Sequence, residues 1–152
     1  MIYLREAQEG DLELMMAWRS SPLIFEGFYQ QNAPLEWEEH FNWWKSRNNW
    51  RTFIIVLVSA HRSRNIGVVT LGQLDHWSPE VGYYIGEVSL WNKGYGKKAV
   101  KLALNWLRER GYKHCHTTVL LSNKASAHLL WILGFQVSGG AREGELWLTK
   151  SL

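Results

Sequence analysis

The chain has 152 residues, 46% of them hydrophobic, which is enough apolar material for the core of one compact domain. Its formal net charge of +3 does not favour a nucleic-acid-binding surface, and its single cysteine excludes an intramolecular disulfide and a cysteine-rich zinc framework. The N-terminal segment has no signal-peptide pattern, and no apolar run approaches the roughly 20 residues of a membrane span. We therefore expect one cytoplasmic domain over residues 1–152, with no metal, no membrane and no specific nucleic acid among its partners.

The N-terminal third predicts one strand and two helices. Ile2–Glu6 has the pattern of a short strand, and Asp11 is suited to cap a following helix whose apolar residues recur at helical spacing. Pro22 is expected to end that helix, and the aromatic stretch 23–33 predicts an irregular, lid-like loop. Pro34 is then expected to open the second helix.

The middle of the chain predicts three strands in a row. The β-branched and apolar segments 52–60, 66–74 and 80–88 are typical of strands, and polar turns are expected at 61–65 and 77–79. Consecutive strands on short turns predict an antiparallel meander.

The C-terminal third predicts helices alternating with strands. A helix follows Gly94 and stops at Gly111, residues 114–121 form a strand, and a helix over 123–133 is closed by Gly134. Two short strands, 135–139 and 145–150, complete the order β-α-α-β-β-β-α-β-α-β-β.

The segment WNKGYGKKA, residues 91–99, carries the clearest chemical signal. It places a Gly-x-Gly turn between a strand and the first turn of a helix, where backbone N–H groups lack intrahelical acceptors and attract an anion. Lys93, Lys97 and Lys98 add positive charge. Tight packing of strand against helix is the alternative explanation for the glycines. The Rossmann and Walker patterns do not fit, because their further glycine and Lys-Ser/Thr pair are missing.

Residues 91–99 resemble the coenzyme A pyrophosphate signature of the GNAT acetyltransferase superfamily, with Trp91 in place of the usual Gln or Arg. Such a Trp before Lys-Gly-Tyr is typical of the branch that acetylates ribosomal-protein N-termini, polyamines and some amino sugars. Residues 122–135, SNKASAHLLWILGF, resemble the family's second conserved helix. The resemblance implies an α+β fold, a three-layer α/β/α sandwich whose mixed, mostly antiparallel sheet is splayed at the acetyl-CoA site.

The same resemblance implies acetyl-CoA as co-substrate. Free backbone groups of the splayed strand would hold its pantetheine arm, and the turn and the two helices would hold the rest. Gly82 and Gly86 suit a strand that a ligand approaches closely, although a bulge would also explain them. The implied cofactor-binding residues are Tyr84, Ile85, Gly86, Glu87, Asn92, Lys93, Gly94, Tyr95, Gly96, Lys97 and Asn123; an ordinary N-cap is the alternative role for Asn123.

Attack of an amine on a thioester requires removal of one proton and delivery of another. Glu80 stands where the resembling N-terminal acetyltransferases carry a base-like Glu, with His76 and then Glu87 in reserve; a solvated strand-end glutamate is the alternative. Many family members use a Tyr acid at the position that Leu130 occupies here, so Ser126 is the candidate acid. A serine bonding back to its own helix is the alternative for Ser126.

A covalent cysteine mechanism is the less favoured possibility, because Cys115 and its neighbours His114 and His116 lie on a presumed core strand without a matching motif.

The acceptor is expected in a cleft roofed by the loop 23–33, with Phe28, Tyr29, His76 and Tyr83 as candidate contacts. These aromatic residues could instead plug the core under a long loop. We therefore predict an N-acetyltransferase, a monomer or homodimer, that acts on a primary amine: a protein N-terminus, or a small molecule such as an amino sugar or polyamine. The alternatives are a non-catalytic acyl-CoA-binding sensor or scaffold and, less favoured, a basic RNA-binding domain.

Overall fold

The computed structural model describes residues 1–28 and 31–152, without the side chains of residues 141 and 142. Short 3₁₀ turns lie at Glu9–Asp11 and Val88–Leu90. The helices and strands of the described residues are, in chain order, β1 (Ile2–Glu6), α1 (Leu12–Arg19), α2 (Pro22–Phe25), α3 (Trp37–Ser46), β2 (Arg51–Ser59), β3 (Arg62–Gly72), β4 (Glu80–Ile85), α4 (Tyr95–Glu109), β5 (His114–Leu120), α5 (Lys124–Ile132), β6 (Gln136–Arg142) and β7 (Glu145–Ser151).

The strands form one open sheet in the order β1-β2-β3-β4-β5-β7-β6. Neighbouring strands are antiparallel at every position except β4 and β5, which are parallel. These two central strands pair only through Glu80 and His116, at the beginning of β4. Beyond that pair, β4 and β5 are not paired with each other. This confirms the expected splay of a mixed, mostly antiparallel sheet.

Helices cover both faces of this sheet, which confirms the three-layer arrangement. The back face, packed against α4 and α5, holds the larger core, with Val81, Ile85 and Leu107 among its members. The front face is packed against α1 and α3, and Trp18 and Tyr84 belong to its core. Because successive strand residues point to opposite faces, β4 contributes side chains to both cores in alternation.

Two expectations for the N-terminal helices are wrong in detail. Pro22 does not merely stop a helix, since α1 already ends at Arg19 and Pro22 begins the short helix α2 inside the stretch expected to be irregular. Proline suits that first position because no intrahelical N–H bond is lost there. Similarly, α3 begins at Trp37 with Glu36 as its N-cap, and not at Pro34.

The expected turn at 61–65 is also wrong. The chain reverses at Ala60 and His61, and Ala60 has a left-handed φ of 47°. The residues from Arg62 to Asn65 pair with β2 instead, and their polarity reflects an exposed strand end. The third strand of the meander is shorter than expected, since β4 ends at Ile85. No helix among the described residues is long and apolar enough to cross a membrane.

Candidate functional site

The N-terminus of α4 is built as the sequence pattern predicts. Gly94 is the N-cap with a left-handed φ of 83°, and Asn92, a residue type that tolerates this region, has φ 62°. The helix begins its hydrogen bonding with Lys98 N–H to Gly94 O at 3.1 Å, so the N–H groups of residues 95–97 have no intrahelical acceptor. With the exposed ammonium of Lys93 nearby in sequence, this end of α4 can hold an anion.

Gly96 has a packing role next to this anion site. A Cβ at position 96 would lie 3.0 Å from Cε2 of Tyr83 and 3.3 Å from Cδ1 of Leu129. The absence of a side chain therefore lets α4 approach β4 and α5. Gly96 thus has the packing role that the sequence left open as an alternative, and Gly94 has the left-handed conformation that the turn requires.

The expectation of free backbone groups around Tyr84 to Glu87 is wrong for the main chain of Tyr84, which pairs with Val68 of β3, and for the amides of the last two residues. The N–H groups of Gly86 and Glu87 both donate to the carbonyl of Ile66 on β3, at 2.8 and 3.2 Å. A Cβ at Gly86 would overlap the indole ring of Trp18, so this glycine is required by packing on the front face. The side chain of Tyr84 is likewise in the front core, in an edge-on contact with Trp18 at 6.2 Å between ring centroids.

The backbone groups that point toward β5 belong to the alternate residues of β4. Residues hydrogen-bonded to the neighbouring strand alternate with residues that are not along an antiparallel pair, and Gly86 is bonded to β3. Val81, Tyr83 and Ile85 are out of phase with Gly86, so their main-chain N–H and C=O groups point away from β3. The carbonyl of Val81 accepts from Oγ1 of Thr117 at 2.6 Å, and the carbonyl of Ile85 accepts from the indole Nε1–H of Trp91 at 2.8 Å. The backbone of Tyr83 lies between these two contacts and faces the gap.

Tyr83 and Ser126 form a hydroxyl pair across the back of the gap. Their oxygens are 3.0 Å apart, and the backbone N–H of Ser126 donates to Oδ1 of Asn123 at 3.3 Å. Asn123 is thus the N-cap of α5, and the hydroxyl of Ser126 bonds to β4 and not back to its own helix. Burial raises the pKa of Tyr83, and the bond to Ser126 partly opposes this, so the phenol stays protonated at neutral pH.

From the sequence, Tyr83 was expected in the acceptor pocket, and its pairing with Ser126 was not expected. The period-2 alternation of β4, which puts residues 80 and 83 on opposite faces, was the available signal.

A groove of about 540 Å³ opens on the front face where β4, β5 and β7 meet. Glu80 pairs with His116 in the parallel ladder, and Thr118 pairs with Trp147 between β5 and β7. The groove thus lies beside the closed end of the gap. Its lining residues are Gln73, Glu80, His116, Thr118, Gly140, Glu145 and Trp147.

His116 is a buried polar group of this groove, and the sequence had pointed to it only as a neighbour of Cys115 in the less favoured covalent mechanism. Its side chain is buried, its Nδ1 lies 2.8 Å from the carbonyl oxygen of Ser78, and its ring is stacked on that of Trp147 with 4.4 Å between centroids. The three residues are far apart in the sequence, so only the strand register brings them together.

Of the four residues expected to line the acceptor pocket, the three that the structure describes do not come together. Phe28 contacts the ring of Tyr84 at 5.6 Å, and the guanidinium of Arg19 lies 5.0 Å above it, so Phe28 closes the front core. His76 is exposed in the loop between β3 and β4 and does not line the groove, and Tyr83 faces the back. Tyr29 lies outside the described residues.

Two other features of the described residues bear on chemistry. A smaller cavity of about 240 Å³ lies away from the gap and contains none of the predicted site residues; it is lined by Lys101, Leu104, Asn105, Arg108, Leu133 and Lys150. No group of three or more His, Cys, Asp or Glu side chains in the described part of the chain is arranged to hold a metal ion.

Comparison with known proteins agrees with this geometry. Residues 2–136 match the model of the acetyltransferase (GNAT) domain family. An uncharacterized protein of Methanocaldococcus jannaschii is 45% identical over 147 residues, which are 97% of this chain but 30% of that protein. The chain therefore spans about a third of the length of this curated relative.

Solved structures show the same fold. The crystal structure of a domain from Methanocaldococcus jannaschii is 43% identical, with a TM-score of 0.98 over 100% of this chain and 99% of that one. Spermidine N-acetyltransferase from Vibrio cholerae, in complex with CoA and spermine, is 20% identical with a TM-score of 0.83 over 99% and 95% of the two chains. An aminoglycoside acetyltransferase in complex with coenzyme A is 15% identical with a TM-score of 0.82 over 99% and 95%.

Proposed function

The chain belongs to the GNAT family of acetyltransferases, and from this premise we propose that it transfers an acetyl group from acetyl-CoA to a primary amine. The proposal treats residues 1–152 as one acetyltransferase domain. The observation that carries it is the gap between β4 and β5, which opens from the Glu80–His116 pair toward a helix N-terminus built to hold an anion.

The residues at the gap fit coenzyme A. The free N–H groups of residues 95–97, with Lys93 and Lys97, would bind the pyrophosphate, and Asn92 and Gly94 shape the turn that presents them. The main chain of Tyr83 and the N–H of Ile85 would bind the pantetheine arm in place of a neighbouring strand. Asn123 supports this side of the site by capping α5 and fixing Ser126.

Two sets of residues would carry out the two proton transfers, one set on each face of β4. Bound acetyl-CoA supplies a thioester carbonyl for the amine to attack. On the front face, Glu80 would take the ammonium proton, directly or through water, since it lines the groove beside the gap. On the back face, the Tyr83–Ser126 hydroxyl pair would return a proton to the departing thiolate, which compensates for the missing Tyr at Leu130.

The acceptor is proposed to belong to the amines used by the structural neighbours and the resembling branch: polyamines, amino sugars including aminoglycosides, or protein N-termini. The named neighbours are a spermidine and an aminoglycoside acetyltransferase, and both support an amine acceptor.

Thermal unfolding with coenzyme A and mass spectrometry of an amine panel test the proposal. A ligand that binds only the folded protein at a hundredfold excess over its Kd stabilises it by about 2.7 kcal/mol, so a clear rise in Tm is expected. Incubation with acetyl-CoA should yield a product heavier by one acetyl group. Stabilisation by coenzyme A without product from any amine would indicate a non-catalytic binding module, and absence of both results would refute the proposal.

A further inference from the structure

The hydrogen bond of His116 determines which ring nitrogen carries the proton. Nδ1 lies 2.8 Å from the carbonyl oxygen of Ser78 and 3.5 Å from the hydroxyl of the same residue. A carbonyl oxygen only accepts, so Nδ1 must be the donor. The neutral imidazole therefore has its lone pair on Nε2.

The ring of His116 is also held in a fixed orientation. It lies nearly parallel to the indole of Trp147, with an interplanar angle of 5° and 4.4 Å between centroids. The backbone N–H of His116 donates to the carbonyl of Pro79 at 2.9 Å, which anchors β5 to the same loop that holds Nδ1. A ring fixed by stacking and by a hydrogen bond presents Nε2 in one direction.

Trp147 is the exposed member of this stack. His116 is only 4% exposed, whereas Trp147 is 37% exposed and lines the groove. A partly uncovered indole next to polar side chains can pack against the apolar face of a ring while its substituents form hydrogen bonds. Glu80 from β4 and Glu145 from β7 are the titratable groups that line the groove with His116, and Gln73 and Thr118 are its neutral polar groups.

We propose that the His116–Trp147 stack is the acceptor-binding platform of the enzyme, and that its acceptor is a primary amine carried on a ring. Nε2 of His116 accepts a hydrogen bond from the amino group, and the uncovered surface of Trp147 packs against the ring that bears it. His116 thereby holds the amino group in the groove, while the proton leaves toward Glu80. This inference rests on the proposed function for its substrate, but the platform itself is a property of the folded chain.

Steady-state kinetics with glucosamine as the cyclic probe and spermidine as the open-chain probe give the first test. His116→Asn keeps an N–H for the Ser78 carbonyl and removes the Nε2 acceptor, whereas His116→Phe keeps the stack and removes both nitrogens. Each should raise the KM for glucosamine about tenfold with kcat nearly unchanged, as expected for loss of uniform binding.

Trp147→Leu should raise the KM for glucosamine and leave that for spermidine nearly unchanged. His114→Asn is the matched control, because His114 lies on the same strand but is exposed and contacts Trp77.

NMR of the ¹⁵N-labelled imidazoles in the complex with coenzyme A gives a second readout that needs no turnover. We expect a protonated Nδ1 on His116, and we expect its Nε2 resonance to shift when glucosamine is titrated while the resonances of His114 stay fixed. A protonated Nε2, or an Nε2 resonance that does not move at saturating glucosamine, would overturn the inference even if the wild-type protein acetylates amines. If Nε2 responds but no product forms, the platform stands and the proposed acetyl transfer fails.

Discussion

The front and back of the β4–β5 gap are built in different ways. On the back, the turn before α4 and the start of α5 are contiguous segments, and each positions its own functional groups. On the front, the groove depends on Glu80, His116 and Trp147, which come from three strands and meet only through the sheet register. The side proposed to bind the cofactor is thus encoded locally, whereas the side proposed to bind the acceptor is encoded by the fold.

One strand connects the two sides. Glu80 and Tyr83 are three residues apart on β4, so their side chains point to opposite faces. A proton acceptor and a proton donor can therefore flank the same gap without forming a direct bond to each other. We therefore expect substitutions on the front face to affect removal of the ammonium proton, and substitutions on the back face to affect protonation of the departing thiolate.

The largest effect is expected on the front face, from Glu80→Gln. Loss of a general base typically lowers kcat by about 10²–10⁴-fold, and the affinity for coenzyme A should stay nearly constant because the anion site is on the other side. Steady-state kinetics and a thermal shift with coenzyme A measure the two quantities. Glu109→Gln, at an exposed position of α4, is the control.

A loss of less than tenfold in Glu80→Gln would assign the base to another group or to water. A large loss of coenzyme A affinity would contradict the separation of the two faces.

On the back face, Tyr83→Phe and Ser126→Ala should each slow acetyl transfer by about 5- to 150-fold, corresponding to 1–3 kcal/mol for one hydrogen-bond donor in a water-poor site. The two hydroxyls are 3.0 Å apart, so the double variant should cost little more than the worse single one. Rapid-quench measurement of the chemical step avoids masking by product release. Fully multiplicative losses would show that the hydroxyls act independently.

Features formed by contiguous residues could be predicted from the sequence, whereas contacts between residues on distant strands could not. The Gly94–Gly96 turn and the capped helix after Asn123 were predicted because their residue types determine backbone conformation over a few positions. The start of β3 was misjudged, since an exposed strand end has the composition of a turn. His116 and Trp147 were missed because no sequence period links β5 to β7, and only the observed ladder places their rings in contact.

A smaller effect on coenzyme A binding, together with a modest loss of stability, is expected from Gly94→Ala. Gly94 at the N-terminal end of α4 and Gly111 just beyond its C-terminal end have nearly the same left-handed φ, 83° and 86°, and neither would bring a Cβ within 4 Å of another residue. Alanine at either position should cost about 1–2 kcal/mol of stability through backbone strain. Only Gly94→Ala should weaken coenzyme A binding, by about tenfold, or 1.4 kcal/mol.

Urea unfolding and isothermal titration of each glycine variant separate strain from ligand contact. Equal coenzyme A affinities in Gly94→Ala and Gly111→Ala would remove the turn before α4 from the proposed pyrophosphate site.

The smallest effect is expected from Cys115→Ala, which tests whether either face uses covalent chemistry. Cys115 is fully buried in the back core, and its burial raises the pKa of the thiol from 9.0 to about 12. The nucleophilic thiolate is therefore scarcer at neutral pH in the folded protein than in the unfolded chain. Direct transfer predicts an unchanged kcat for the variant and very slow labelling of the native thiol by iodoacetamide, with rapid labelling in urea.

Because the folded pKa is raised, the stability that this group contributes is complete below pH 9 and is lost as the pH rises toward 12, so Cys115→Ala should flatten the alkaline decline in Tm. An acetylated Cys115 in a rapidly quenched reaction, together with a large loss of kcat in the variant, would replace direct attack with a covalent mechanism and move the chemistry into the back core.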